Sequence, residues 1–213
     1  MRVLGIDEAG RGPVIGPLTV SGVIIEEGRE KMLGEVKDSK LVPHKKRLKL
    51  SKHLKENFEY KTVIANPKEI DDALNSTTLN LNWLEAHKQA EIINSLKPDI
   101  AIIDCPSASP SKYTEYLKNL LDNKSIKLIV EHKADVNYPV CSAASILAKV
   151  EREEQMEKIK EKYGDTGPGY PAHPKTREFV RQNWDKYPEI FRKTWSTYKK
   201  IVEKEKRHQQ TLL

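Results

Sequence analysis

The sequence predicts an α/β fold built on an at least partly parallel sheet. Short apolar runs rich in β-branched residues alternate with stretches of helical period, the pattern of strand–helix–strand units. Two of those runs, 3–7 and 100–104, end on a carboxylate. Strand ends are where open α/β sheets place their sites. The 213 residues hold no internal repeat and no low-complexity linker, which fits one large domain or a domain with an appendage.

Taken in order, 3–7 and 18–25 read as two strands joined through Gly10, Gly12, Pro13, Gly16 and Pro17 as a hairpin. Residues 26–34 form a connection or a short helix. Lys37-Asp-Ser-Lys-Leu41 is a polar loop ahead of Pro43, which suits the first turn of a helix reaching about residue 57. Leu50, Leu54 and Phe58 share one face of it and lysines the others. A third strand over 60–65 leads to a helix capped by Asn66, with Glu69 three residues on. Residues 79–96 are helical, with Leu81, Leu84, Ile92, Ile93 and Leu96 facing inward, until Pro98 ends the run. A strand over 100–104, a helix opened by Ser109-Pro110 and a strand over 127–131 follow. A helix then runs from near Ser142 to about 163, its start lined with small residues. The loop 164–174 places Tyr170 among glycines and prolines. Beyond it the pattern is helical. Phe191, Trp195, Tyr198 and Val202 recur at helix spacing and are expected to dock on the body. One catalytic domain over 1–175 with a helical C-terminal extension over 176–213 is the simplest account.

With 38% hydrophobic and 32% charged residues the chain is globular rather than disordered. No run approaches membrane-spanning length and the N-terminus has no signal pattern, so a cytoplasmic protein is expected, and a monomer. Cys105 and Cys141 lack metal spacing and read as plain thiols; the six histidines show no ligand spacing either. A formal charge of +6 fits a polyanionic partner.

The candidate chemistry lies in Asp7, Glu8, Asp104 and Asp135. Asp7 and Asp104 close two strands, and Asp135 follows a third by four residues. If the strands are neighbours these acids converge. Glu8 joins them only if the strand bulges, because alternation aims it away from Asp7. Four oxygen ligands suit Mg²⁺ or Mn²⁺ and not structural zinc. The amides of Gly10-Arg11-Gly12 could hold a phosphate or a sugar hydroxyl. Lys40 is a candidate phosphate contact. Tyr170 is either a packed plug or a stacking platform. Two rival readings explain less. An actin-like phosphotransferase shares the Gly5-Ile-Asp7 strand end but needs two such domains. A non-catalytic nucleic-acid-binding module accounts for the charge but not for the acids.

Six motifs together carry a resemblance. They are Gly5-Ile-Asp-Glu-Ala-Gly-Arg-Gly-Pro13, Asp38-Ser-Lys-Leu41, Ile102-Ile-Asp104, His132-Lys-Ala-Asp135, Ser142-Ala-Ala-Ser-Ile-Leu-Ala-Lys-Val150 and Gly169-Tyr-Pro171. In this order the chain resembles type 2 ribonuclease H, ribonuclease HII, in its archaeal-type branch. The resemblance implies a ribonuclease H-like fold, a central mixed sheet flanked by helices. It implies an endonuclease that cuts the RNA strand of RNA/DNA hybrids and DNA duplexes containing ribonucleotides, 5′ of the ribonucleotide, leaving 3′-hydroxyl and 5′-phosphate ends. It assigns two divalent ions, Mg²⁺ or Mn²⁺, to Asp7, Glu8, Asp104 and Asp135. Recognition of the 2′-hydroxyl falls on Gly10, Arg11 and Gly12, a phosphate contact on Lys40, and stacking on the sugar beyond the RNA-to-DNA junction on Tyr170. Ala172-His173 departs from the serine and acid of many relatives. The sequence names no protein partner, and a sliding clamp is compatible with it.

Overall fold

The computed structural model describes residues 1–36 and 42–211. Their five strands are β1 (Arg2–Ala9), β2 (Leu18–Glu26), β3 (Tyr60–Ala65), β4 (Ile100–Asp104) and β5 (Lys127–Glu131), in the order β3-β2-β1-β4-β5. β1 and β2 are the expected antiparallel hairpin, whereas β1–β4 and β4–β5 are parallel, so the sheet is mixed. Parallel neighbours need a crossover, and α4 (Pro110–Leu120) supplies it between β4 and β5.

The other helices are α1 (His44–Asn57), α2 (Pro67–Asn75), α3 (Leu81–Leu96), α5 (Ala134–Asn137), α6 (Pro139–Tyr163), α7 (Pro174–Asn183) and α8 (Ser196–Thr211). The Asn66 cap forms as expected, its side chain accepting from Glu69 N at 2.9 Å. Four details differ from the sequence reading. Phe191 and Trp195, read at helix spacing, precede α8 and are not helical; Phe191 instead forms an isolated bridge with Ile15. Pro43 is the N-cap of α1 and not part of its first turn. The short helix α5 was not expected. And α6 starts at Pro139, three residues before Ser142, because proline's fixed φ and missing N–H suit a first helical position. Both cysteines are buried free thiols.

The chain divides into two compact units. The first comprises Met1–Ala9, Thr19–Ile64 and Leu81–Glu151, the second Gly10–Leu18, Ala65–Asn80 and Arg152–Leu213. In the first, Val3, Val23, Ile25 and Ile102 of the sheet bury against Val140, Ala144 and Leu147 of α6. The approach is closest at Gly5, where a Cβ would lie 2.4 Å from the Val140 carbonyl carbon and 2.5 Å from Cys141 N. Only a glycine lets the strand and helix backbones come that near. Elsewhere in the unit, Glu85 and Gln89 of α3 are fully buried, and the Tyr113 hydroxyl donates to Gln89 Oε1 at 2.9 Å.

The second unit has its own core of Val14, Ile15, Met156, Phe179, Phe191 and Tyr198, with Trp184 and Trp195 packed against it. Residues 176–213 fall within it. Buried Asp71 of α2 ties down the segment before α8 by accepting from Lys193 N (2.8 Å), Thr194 N (3.0 Å) and the Thr194 hydroxyl (2.5 Å).

Candidate active site

The parallel register builds the acid group. Ile6 of β1 is level with Ile103 of β4, so Asp7 and Asp104 emerge side by side at the carboxyl ends of neighbouring strands. β5 ends beside Asp104, and its chain turns back through Lys133 to put Asp135 in the first turn of α5. One oxygen from each of Asp7, Asp104 and Asp135 lies within 4.8 Å of the others. Asp7 and Asp135 are buried and Asp104 is half-buried.

Each strand-end carboxylate is held by donors. The Glu8 amide donates to Asp7 Oδ1 at 2.7 Å, and the buried Ser145 hydroxyl of α6 donates to the same carboxylate. The Ala134 amide donates to Asp104 Oδ1 at 3.2 Å. Burial above all, opposed by the Ser145 hydroxyl and the Glu8 amide and reinforced by Asp104 and Asp135, pushes the Asp7 carboxyl from its ordinary 3.8 up to about 6. Crowded, buried oxygen ligands of like charge fit a divalent cation, which removes the repulsion that raises this pKa.

Glu8 is placed differently. The β1–β2 ladder runs unbroken through Glu8, paired with Val20, and Ala9, paired with Thr19. With no bulge there, alternation gives Glu8 the face of the sheet opposite to Asp7. It is half-buried, and its charge reaches Cys105, whose thiol is raised first by burial and then by Asp104, Glu8 and buried Glu85. The group of metal-ligand spacing found among the described residues holds Asp7, Asp104 and Asp135 without it.

The glycine-arginine-glycine turn belongs to the second unit, as does Tyr170. Gly10 has φ +90, and a Cβ there would lie 2.5 Å from Arg152 Cδ and Nε, so both conformation and space demand glycine. Arg192, fully buried, straps the turn. Its guanidinium donates to Gly10 O (2.6 Å), Arg11 O (2.9 Å) and Gly16 O (3.0 Å), while Trp195 Nε1 donates to Gly12 O at 3.1 Å. In a planar trans peptide the N–H opposes the C=O. With the Gly10 and Arg11 carbonyls tied to Arg192, the amides of Arg11 and Gly12 point away from it. The Tyr170 loop is held to the same segment: Gly169 O accepts from Val14 N at 2.8 Å. Tyr170 is 44% exposed, with the Arg152 guanidinium 5.1 Å from its ring centroid, and Arg152 Nη2 donates to Pro168 O at 3.1 Å. A Cβ on exposed Gly12 would meet Tyr170 Cε1 at 4.0 Å, so the turn and the ring are neighbours. Lys40 lies outside the described residues.

The sequence reading passed over Gly5, Ser145, Arg152 and Arg192 as site-building residues. A glycine inside a strand signals a close approach, and Ser145 sat in the noted small-residue run. Arg152 and Arg192 carried no signal among so many cations.

The family model described as ribonuclease HII matches residues 4–198. The chain belongs to the ribonuclease HII family. It is 44% identical over 222 aligned residues to the ribonuclease HII of Pyrococcus furiosus, covering 100% of this chain and 97% of that protein. Among solved structures it resembles ribonuclease H2 from Pyrococcus horikoshii (TM-score 0.86, 40% identity, 97% of this chain and 99% of that one). It also resembles ribonuclease HII in the PCNA:RNase HII complex from Archaeoglobus fulgidus (TM-score 0.81, 38% identity, 92% and 96%). The mixed five-stranded sheet with its flanking helices is accordingly the ribonuclease H-like fold. As a member of the ribonuclease HII family the protein is an endoribonuclease of the ribonuclease H type, a hydrolase of phosphodiester bonds.

Proposed function

We propose that the protein cuts the RNA strand of RNA/DNA hybrids and incises duplex DNA 5′ of a lone ribonucleotide, leaving 3′-hydroxyl and 5′-phosphate ends. The observation that carries this reading is the convergence of Asp7, Asp104 and Asp135 within 4.8 Å in a chain of this family. Those three carboxylates would hold divalent ions, Mg²⁺ or Mn²⁺, for which an all-oxygen donor set is suited. Glu8 is the fourth acid of the proposal by motif resemblance alone; from the opposite face of β1 it would reach the ions only if the strand end rearranges locally. The chemistry such ions supply is a water of lowered pKa and a stabilised leaving oxygen. The protein's own part is to aim the carboxylates: Ser145 and the Glu8 amide fix Asp7, and the Ala134 amide fixes Asp104.

Discrimination of RNA from DNA falls to Gly10, Arg11 and Gly12. The amides of Arg11 and Gly12, turned away from the Arg192 strap, are suited to a ribose 2′-hydroxyl. Tyr170, backed by Arg152 and open to solvent, is placed to stack on the sugar beyond the RNA-to-DNA junction. Lys40 is the proposed phosphate contact by resemblance. Arg177, Lys200 and Lys204 line a groove of about 350 Å³ with Pro171, Thr197 and Ile201, a basic surface suited to a nucleic-acid backbone. The PCNA:RNase HII complex from Archaeoglobus fulgidus supports a sliding clamp as a protein partner; the enzyme itself is read as a monomer.

The test is cleavage mapping on a DNA duplex with one ribonucleotide. A nick 5′ of that nucleotide is expected with Mg²⁺ or Mn²⁺ and none in EDTA. Equal cutting of an all-DNA duplex would remove the role of Gly10, Arg11 and Gly12.

A further inference from the structure

The left-handed backbone of Lys133 calls for an explanation. It has φ 61 and ψ 32, a conformation that a Cβ disfavours and glycine adopts freely. The other non-glycine residue of positive φ among those described, Lys97, lies just past the end of α3, a common place for such a terminator. Lys133 instead opens a helix as the N-cap of α5, where extended backbone is usual, and its side chain makes no cap bond.

The backbone around it is fully engaged in holding the acid group. Lys133 O accepts from Val136 N (3.0 Å) and Asn137 N (3.1 Å), and the next amide, Ala134 N, donates to Asp104 Oδ1. Asp135 follows at once. The turn explains why a left-handed residue is needed and does not explain why it is a lysine. The lysine side chain is exposed, and among the described residues its ammonium forms no ion pair, although Asp135 follows two residues on and the adjacent amide holds Asp104. An outlier of this kind at a site points to function.

We propose that Lys133 binds substrate through its ammonium, contacting a backbone phosphate of the strand being cut. The proposal rests on the reading of the acid group as a phosphodiester hydrolase and adds a cation that brings the polyanion to it. Lysine serves here as a point charge at the exposed rim of an acidic site.

The experiment separates turn from charge. Lys133→Gly keeps the left-handed turn and removes the amine; Lys133→Arg keeps a cation. Binding of a one-ribonucleotide duplex is measured in an Asp7→Asn background, so that cutting is not required. KM and kcat are measured in the otherwise native chain, and Mn²⁺ affinity by calorimetry. Lys133→Gly is expected to weaken duplex binding about three- to tenfold and to lower the slope of log affinity against log salt by about 1, with Lys133→Arg close to the parent. KM should rise while kcat and Mn²⁺ affinity stay within about twofold. Unchanged duplex affinity and salt slope would overturn the proposal. So would a loss of Mn²⁺ affinity matching the loss of substrate binding, because the residue would then act only through the fold. A native chain that fails to cut under Mg²⁺ or Mn²⁺ sinks the hydrolase reading, while the binding series still decides Lys133.

Discussion

At Asp7 two demands meet. The residue is buried beside Asp104 and Asp135, where the proposed cation would join the three, yet burial and those neighbours favour its neutral form. The folded pKa, about 6, lies above the ordinary 3.8. A raised folded pKa contributes stability that is fully present below about 3.8 and is lost as pH rises through about 6. At pH 8 the metal-free protein carries a penalty on the order of 3 kcal/mol from this group. Asp7→Asn should therefore melt higher than the native chain in EDTA at pH 8, a gain that shrinks toward pH 4, while cutting is lost; thermal melts across pH check the sign. The positions of Asp7, Asp104 and Asp135 were legible because each follows an apolar run that ends abruptly on charge. The face of Glu8 was legible only as a condition, and its unbroken pairing with Val20 shows no bulge at that position. Ser145 was visible only as one of several small residues, since which of them meets Asp7 depends on how α6 lies on the sheet.

The segment over 10–17 is an element defined by its ties rather than by regular structure. Arg192 satisfies three of its carbonyls at once, and its guanidinium stacks 4.9 Å from the Trp195 ring centroid. Removing it leaves buried acceptors without their donor, at about 1–3 kcal/mol each before relaxation. Arg192→Ala should lower stability by on the order of 3 kcal/mol and abolish the preference for ribonucleotide over all-DNA duplex; denaturant melts and paired cleavage assays report the two effects. Strands and long helices were legible because period and β-branching are local. α5 was not, since four residues carry no period, and its start on a left-handed lysine follows from Asp104 rather than from local preference. Pro43 as a cap, not a first-turn residue, is a boundary that flanking structure sets.

For the molecule as a whole, the charge of +6 is set against a site of clustered acids. In the proposed reading, attraction for a nucleic acid comes from cations such as Arg177, Lys200 and Lys204 and not from the site's own carboxylates. Equilibrium binding of the Asp7→Asn chain to a hybrid is expected to fall at least tenfold between 50 and 200 mM salt, with a log–log slope that counts phosphate contacts; a flat response would remove the basic surface from the account. The alternation of strands and helices made the sheet legible. Two units of interleaved segments were not, because the chain leaves the first at Gly10 and again at Ala65 without a change of composition.

The Arg192 strap also orders events during chain synthesis. Gly10 is among the first residues made, yet the donor that fixes its carbonyl lies 182 positions later. Asp7, Asp104, Asp135 and Ser145 have all been polymerised well before that arginine appears. A nascent or truncated chain ending short of residue 192 holds the full set of convergent acids and lacks the group that sets the turn proposed to tell ribose from deoxyribose. In the proposed reading, ribose selectivity therefore rests on a residue polymerised long after the acids.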